Sequence, residues 1–453
     1  MKKIYVLSLL ILIVFVTSCH KDNNKIVSTL SISGATNTFS SDQIRNYFSL
    51  MCTITKNTKG FFPPQAARAY GYVGIAAYES VVNGIPGALS LSGQVNGLSA
   101  VPKPNSTNQY NWAISSNAAI ADIMRDMFDL NLSAANRATI DSTENANLAN
   151  LSQGVNTDVI NRSVKYGKDV AATIYQASTT DGGHQSYLDP FQLPYSLPSV
   201  DYCWVPTNPA VPNPVSPKWG SNRPFIAANV SSVTPPAPTV YSTDPGSAFY
   251  AMAMDVYNQV KNNTADQVEI VKFWADDPFN TCTPTGHTFN IMIQLLKENH
   301  ATLEKASVAF AKLAIAENDA FISCWKGKYQ YVLIRPVSYI KKYIDPKYTT
   351  VIGTPPFPAY SSGHSYEAGA GTIIFTNLFT DGSGKYDFTD YSQLQYGFST
   401  RHYSNFNDMA LECANSRFYG GIHYSADNTE GLKLGRMVGD NVNKMIIWPT
   451  NIR

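Results

Sequence analysis

Residues 303–325 read LEKASVAFAKLAIAENDAFISCW, and apolar side chains return there every three or four positions, as at Leu303, Ala306, Phe310 and Leu313. That interval is the period of a helix with one face against a core, because about 3.6 residues complete a turn. Outward from this stretch the same period recurs in Gln65–Val82, Trp112–Leu130, Asp158–Gln176, Ala248–Asn262 and Gly286–Glu298. No convincing run of strand alternation and no unit of fixed repeat is found. The expected fold is all-α, built from helical bundles. Between about Thr179 and Pro245 the period is lost in a Pro-, Ser- and Asn-rich stretch that includes Pro206, Pro209, Pro212, Pro214 and Pro217. Structureless stretches of that length are unusual inside a domain, so this one is expected to wrap the surface and make packing or functional contacts. The expected organisation is an N-terminal helical half over 39–178, the Pro-rich wrapping loop over 179–245 and a catalytic helical bundle over 246–453, the two halves forming one unit.

The 34 basic and 33 acidic residues leave a net charge of +1. This balance gives no reason to expect nucleic acid or an anionic membrane surface as a partner, and any cationic site must be local. No protein partner is implied either. At the N-terminus, Lys2 and Lys3 precede an apolar run from Ile4 to Val16, interrupted only by Ser8 and closed by Val16-Thr17-Ser18-Cys19. The run is too short to span a bilayer as a mature helix and reads as an export signal over 1–19. Its ending resembles a bacterial lipobox, which implies lipid on Cys19 after cleavage, with 20–38 as a polar tether. The expectation is an exported lipoprotein held to a membrane by its anchor, on the periplasmic or cell-surface face of a bacterial outer membrane. With Cys19 so assigned, Cys52, Cys203, Cys282, Cys324 and Cys413 remain. Five allows at most two disulfides, and no spacing suits zinc, so they are expected to be buried or bridged.

Chemistry-bearing residues gather in three clusters between Lys328 and Asp427. The first is Lys328-Tyr-Gln-Tyr-Val-Leu-Ile-Arg335-Pro336. Seven positions are nearly two helical turns, so Lys328 and Arg335 are expected on one helical face, with Pro336 ending the helix. Two adjacent cations call for an anion. The second cluster, Pro355-Pro-Phe357-Pro-Ala-Tyr-Ser361-Ser362-Gly363-His364, runs into a small-residue helix at Tyr366–Leu378. A Ser-Gly entry to a helix presents free N–H groups and a hydroxyl to an anion, with His364 beside it for proton transfer. The third is Ser416-Arg417-Phe-Tyr-Gly420-Gly421-Ile-His423-Tyr-Ser-Ala-Asp427. A break at Gly420-Gly421 lets Arg417 and His423 turn to one point, and Asp427 can accept a hydrogen bond from the imidazole.

In this order and spacing, the clusters resemble the signature shared by vanadium-dependent haloperoxidases and type 2 phosphatidic acid phosphatases: Lys-(six)-Arg-Pro, Pro-Ser-Gly-His, and Ser-Arg-(five)-His-(three)-Asp. The tight match covers Lys328–Asp427, and Ser361 stands where the pattern usually has Pro. Weaker likeness extends to Ala66–Ser80 and to Trp274–His287. The resemblance implies vanadate as cofactor, bonded through His423. Its oxygens would be held by Lys328, Arg335 and Arg417, with Ser362 and the Gly363 N–H donating. His364 would be the acid–base residue, Asp427 the partner of His423, and Trp325 and Phe357 the lining of a halide pocket. Halide and hydrogen peroxide would be the substrates and hypohalous acid the product. The lipid-anchored form is similar to the bacterial vanadium iodoperoxidases, which makes iodide the expected halide and bromide the next. One alternative is an acid phosphatase of the same superfamily, with His423 attacking phosphorus and His364 protonating the leaving alcohol. Another is a non-catalytic surface binding lipoprotein. Asp276 and His287 are read as a supporting or halide-entrance pair or as a structural histidine, and His184, His300 and His402 as surface or capping residues.

Overall fold

The computed structural model describes residues 33–450 and 452, so the export segment, Cys19 and residues 20–32 of the tether lie outside the described residues. Among those described, the chain forms α1 (Asp42–Asn57), α2 (Pro63–Glu79), α3 (Trp112–Phe128), α4 (Ala134–Leu151), α5 (Thr157–Ser178) and a single turn, α6 (Ala228–Ser231). There follow α7 (Ala248–Lys261), α8 (Ala265–Phe273), α9 (Thr283–Glu298), α10 (Leu303–Tyr331), α11 (Pro336–Tyr343), α12 (Gly363–Phe379), α13 (Phe406–Tyr419) and α14 (Ser425–Met445). The all-α expectation holds, with one addition: a two-stranded antiparallel ribbon of β1 (Phe388–Asp390) and β2 (Arg401–Tyr403), too short to leave an alternating signature.

The axis of the fold is α10, whose 29 residues span about 43 Å at 1.5 Å per residue. Its N-terminus is capped by Thr302, whose hydroxyl accepts from the Lys305 N–H. Against it lies α2, every residue of which is buried. Pro63 and Pro64 fit the first turn of α2, where their missing N–H groups have no helical partner anyway. The two helices meet closely at Gly74, where a Cβ would lie 2.4 Å from that of Ala314. A second close contact joins α12 to α14. Gly431, Gly435 and Gly439 repeat every fourth residue, and a Cβ on Gly435 would stand 2.0 Å from the Tyr366 carbonyl oxygen. The helix carrying Asp427 therefore packs backbone to backbone on the helix carrying His364.

The first cation pair is not arranged as the spacing predicts. Val332 adopts a left-handed φ of 45° and ends α10, so Lys328 stays on α10 while Arg335 sits in the connection as the N-cap of α11. Pro336 begins a helix instead of ending one. The stretch from 179 to 245 clamps this connection and the one before α12: the Trp204 N–H donates to Val332 O (2.7 Å), the Ile334 N–H to Tyr202 O (2.7 Å) and, in the later loop, the Val215 N–H to Pro356 O (2.9 Å). These bonds satisfy main-chain groups that no helix or sheet would reach. Cys52, Cys203, Cys282, Cys324 and Cys413 are all buried, and among the described residues none is bridged.

Candidate anion-binding active site

Lys328, in the last turns of α10, is wholly buried and forms no ion pair among the described residues. Its ammonium donates instead to three carbonyls of the 355–363 loop: Pro358 (3.0 Å), Ala359 (2.9 Å) and Ser361 (2.5 Å). Three donors meet three acceptors, so the loop is tied to α10 by one side chain. Burial, with Arg335 nearby, pushes the Lys328 ammonium below its ordinary range. Arg335 is equally buried. Its Nε donates to Phe357 O (2.8 Å) and its Nη1 to Ile422 O (2.8 Å), while Nη2 has no partner. Arg417 leaves the last turn of α13, donates Nη1 to Trp274 O (2.7 Å), and has an unpartnered Nε. A guanidinium stays charged even so enclosed. Three buried cations thus lack a salt bridge among the described residues, and two of them keep idle donors.

The tautomer of His423 follows from its neighbours. Arg335 Nη1 lies 2.9 Å from His423 Nε2. A guanidinium has donors only, so Nε2 carries the lone pair and Nδ1 the hydrogen, given to Asp427 Oδ2 at 2.8 Å. Burial first, then Arg335, Lys328 and Arg417, hold His423 well below its ordinary pKa, which keeps the imidazole neutral. Asp427 is raised by burial, against the pull of Lys328 and Arg335. It also accepts from the Tyr424 N–H (3.2 Å), and its carbonyl accepts from the Ser362 N–H (3.1 Å), joining the second and third clusters.

Ser362 is the N-cap of α12, its Oγ accepting from the Ser365 N–H (3.4 Å). The first N–H groups of α12 have no partner in the helix. A Cβ on Gly363 would meet nothing closer than the Trp325 ring at 3.5 Å, so the hydrogen it carries instead leaves that volume to a ligand. His364 is held well below its ordinary value by burial, Arg417 and His287, and its Nε2 is buried without a hydrogen bond. The Ser361 hydroxyl is likewise buried and unpartnered. Trp325 and Phe357 pack 4.9 Å apart between ring centroids, with the Lys328 ammonium 5.8 and 5.2 Å from them. The pocket above measures about 310 Å3, and its walls include Phe62, Phe191, Val211, Phe279 and Pro356, with Gly363, His364, Arg417 and His423 among its other lining residues.

All the clustered candidates therefore meet in one place, although they come from α10, three connections, α12, α13 and α14. Behind His364 stand Asp276 and His287, read from the sequence as a supporting or halide-entrance pair, together with Asp390, which the sequence did not mark. Asp276 Oδ2 lies 4.0 Å from His364 Nε2. Asp276 also contacts His287 Nδ1 (3.0 Å) and accepts from Gln393 Nε2 (2.8 Å), while His287 Nε2 lies 3.4 Å from Asp390 on β1. Burial lowers His287, but its two carboxylates outweigh this and raise it to about 10, so it is an imidazolium held between them. No spacing signals the second carboxylate, Asp390. His184 is half-buried and His300 and His402 are exposed.

The arrangement fits a tetrahedral oxyanion whose central atom accepts a nitrogen lone pair: idle guanidinium N–H groups, a helix N-terminus without a side chain at Gly363, and a neutral imidazole. The family model described as the second helical-bundle domain of VCPO matches residues 342–448. A solved structure described as the first bacterial vanadium-dependent iodoperoxidase is similar at 30% identity and a TM-score of 0.82, over 91% of this chain and 98% of that one. Apo and holo forms of a bacterial vanadium-dependent chloroperoxidase share the fold at 14% identity, with TM-scores of 0.61 and 0.59. They cover 84% and 92% of this chain, and 93% of each of those chains. No match is found among curated proteins. Likeness at 30% identity over nearly the whole of both chains places this chain in the vanadium haloperoxidase family.

Proposed function

We propose that the chain is a vanadate-dependent haloperoxidase that oxidises iodide, and bromide less readily, with hydrogen peroxide to hypohalous acid. The observation that carries this reading is the convergence of three buried cations without salt bridges on the lone pair of a neutral, oriented imidazole. When bound, vanadate supplies a Lewis-acidic centre that activates peroxide toward halide. His423 Nε2 would bond the metal. Arg335 and Arg417, through their idle N–H groups, with the Ser362 hydroxyl and the Gly363 N–H, would hold its oxygens. Lys328, whose three donors are taken by carbonyls, would add its charge in a largely buried site. Asp427 fixes the His423 tautomer. His364 takes a proton from peroxide and returns one as water forms, and its depressed pKa leaves it neutral and able to accept.

The halide approaches through the apolar pocket beside Trp325 and Phe357. Taking a small, strongly hydrated anion into such walls costs more than taking in iodide, whose charge is spread over a larger ion. The preference for iodide is supported by this lining and by similarity to the iodoperoxidase. The test is oxidation of iodide, bromide and chloride by the metal-free protein with peroxide, with and without vanadate, beside p-nitrophenyl phosphate hydrolysis. Vanadate-dependent iodide oxidation supports the reading. Ester hydrolysis inhibited by vanadate, without halide oxidation, replaces it with the phosphatase. For localisation, the lipobox-like end at Cys19 supports export and lipid attachment; loss of labelled lipid in Cys19→Ala checks it.

A further inference from the structure

Forming hypohalous acid from halide and peroxide consumes one proton per turnover (X− + H2O2 + H+ → HOX + H2O), and His364 must receive it among cations. Directly behind it lie two acids that the mechanism above does not use. Glu367, one turn along α12 from His364, is wholly enclosed, as is Glu317 on α10. The two carboxyls interact with each other. Glu367 Oε1 accepts from the Thr285 hydroxyl at 2.6 Å. Neither oxygen of Glu317, nor Oε2 of Glu367, has a protein donor, and neither acid forms an ion pair among the described residues. Two such carboxyls cannot both ionise, and a proton is what satisfies their facing oxygens. Burial pushes both above the ordinary carboxylate range.

A second, independent feature connects them to the chemistry. A cavity of about 10 Å3, room for roughly one water, is lined by both Glu367 and His364 and by Asp276 and Thr288. It therefore offers a water the polar partners it needs. The buried, unpartnered Nε2 of His364 is on the Asp276 side of the ring. The other titratable groups near Glu367 are His287 on α9, Asp276 ahead of it, Cys324 on α10 and Cys413 on α13.

We propose that the Glu317–Glu367 pair is a proton store that feeds His364 through one water in this cavity, an assignment that rests on the haloperoxidase reading. The O–H bond at Glu367 breaks, a proton enters the water as another leaves it for His364 Nε2, and Glu367 remains a carboxylate. That carboxylate is bonded by the proton kept on Glu317 and by the Thr285 hydroxyl. A solvent proton arriving through the halide pocket refills the pair by the reverse path.

The test compares Glu367→Gln and Glu317→Gln with the wild type. An amide keeps the shape and the hydrogen bond but has no acidic proton, so a merely structural pair tolerates it. Infrared spectra of the vanadate-free protein at neutral pH should show deuterium-sensitive carboxylic-acid carbonyl intensity that Glu367→Gln and Glu317→Gln each reduce. In halide oxidation, both variants should keep vanadate affinity and peroxide KM. They should lose about tenfold in kcat, growing toward alkaline pH as solvent protons become scarce, and change the solvent isotope effect. Acid-band intensity left unchanged by Glu367→Gln overturns the store whatever the activity. So does an unchanged kcat profile in either folded variant. Loss of all halide oxidation in the wild type with the band present instead overturns the functional reading, and with it the role given to the pair.

Discussion

Asp427→Asn separates what the buried carboxylate does for folding from what it does for the site. Asp427 Oδ2 receives two hydrogen bonds, from His423 Nδ1 at 2.8 Å and the Tyr424 N–H at 3.2 Å. An asparagine carbonyl placed there can accept both, so the fold and the His423 tautomer survive. What is lost is the charge: a charge-assisted bond is worth about twice a neutral one, a difference of roughly 1–2 kcal/mol. That charge makes Nε2 a stronger electron donor to a metal. Removing the carboxylate behind a ligating histidine commonly weakens the metal by 10–100-fold, or about 1.4–2.7 kcal/mol. Burial works in the opposite direction, because the enclosed carboxylate costs solvation that an amide does not. The expected outcome is a vanadate dissociation constant raised 10–100-fold by calorimetry, with thermal stability of the apo protein unchanged or slightly higher. An unchanged affinity, or a collapse of stability with it, would refute the argument.

His364→Ala should bind vanadate within a few-fold of the wild type but lose 10²–10⁴-fold in halide oxidation; full activity in both halide oxidation and ester hydrolysis would remove the acid–base assignment. Gly435→Ala puts a Cβ where only 2.0 Å separates it from the Tyr366 carbonyl oxygen, so the helices must part; a loss of about 2–4 kcal/mol in urea unfolding and weakened vanadate binding are expected together. Glu79 is raised to about 7 by burial, so between about pH 4.5 and 7 the folded chain holds a proton that the unfolded chain has released. Stability should therefore fall as pH rises through that window and level off above it, by up to about 3 kcal/mol. Glu79→Gln should flatten this part of the profile in pH-dependent denaturation. Phe357→Ala opens the wall beside Lys328 and should raise the KM for iodide more than that for peroxide.

The residues that bear charge are legible in the sequence because a signature of fixed spacings marks them by their positions along the chain. What carries them is less legible. Arg335 leaves the expected helix because a single residue, Val332, turns left-handed, and a β-branched side chain gives no warning of that. The partners of Lys328 are carbonyls, which every residue has, so its trio of bonds has no sequence signal. Most of helix α14 is harder to read because glycines at 431, 435 and 439 interleave on its packing face with Leu434, Val438 and Val442, and a reading by apolar period treats them as breaks. Helix α4 is hidden for the opposite reason: only Ile140 is buried along its length, so there is no stripe to find. Asp276, His287 and Asp390 come from three separate elements, and only folding puts the first two beside the third.

The glycine contact between α12 and α14 has a consequence for how such a pocket can diversify. Where two main chains touch, no rotamer can relax and no neighbouring side chain can be resized to compensate. The distance from Ser362 to Asp427 is therefore set by polypeptide geometry, common to any sequence that keeps those glycines. The walls are another matter: Phe62, Phe191, Val211 and Phe279 stand outside the helices, in connections with neighbours that can shift. Mutation can re-tailor the entrance, residue by residue, for a different anion or acceptor without disturbing the seat of the oxyanion. On the proposed function, selectivity and cofactor retention then depend on different side chains of one fold; single substitutions at these walls, not exchange of the stretch that also clamps Val332 and Ile334, are the route to change the first alone.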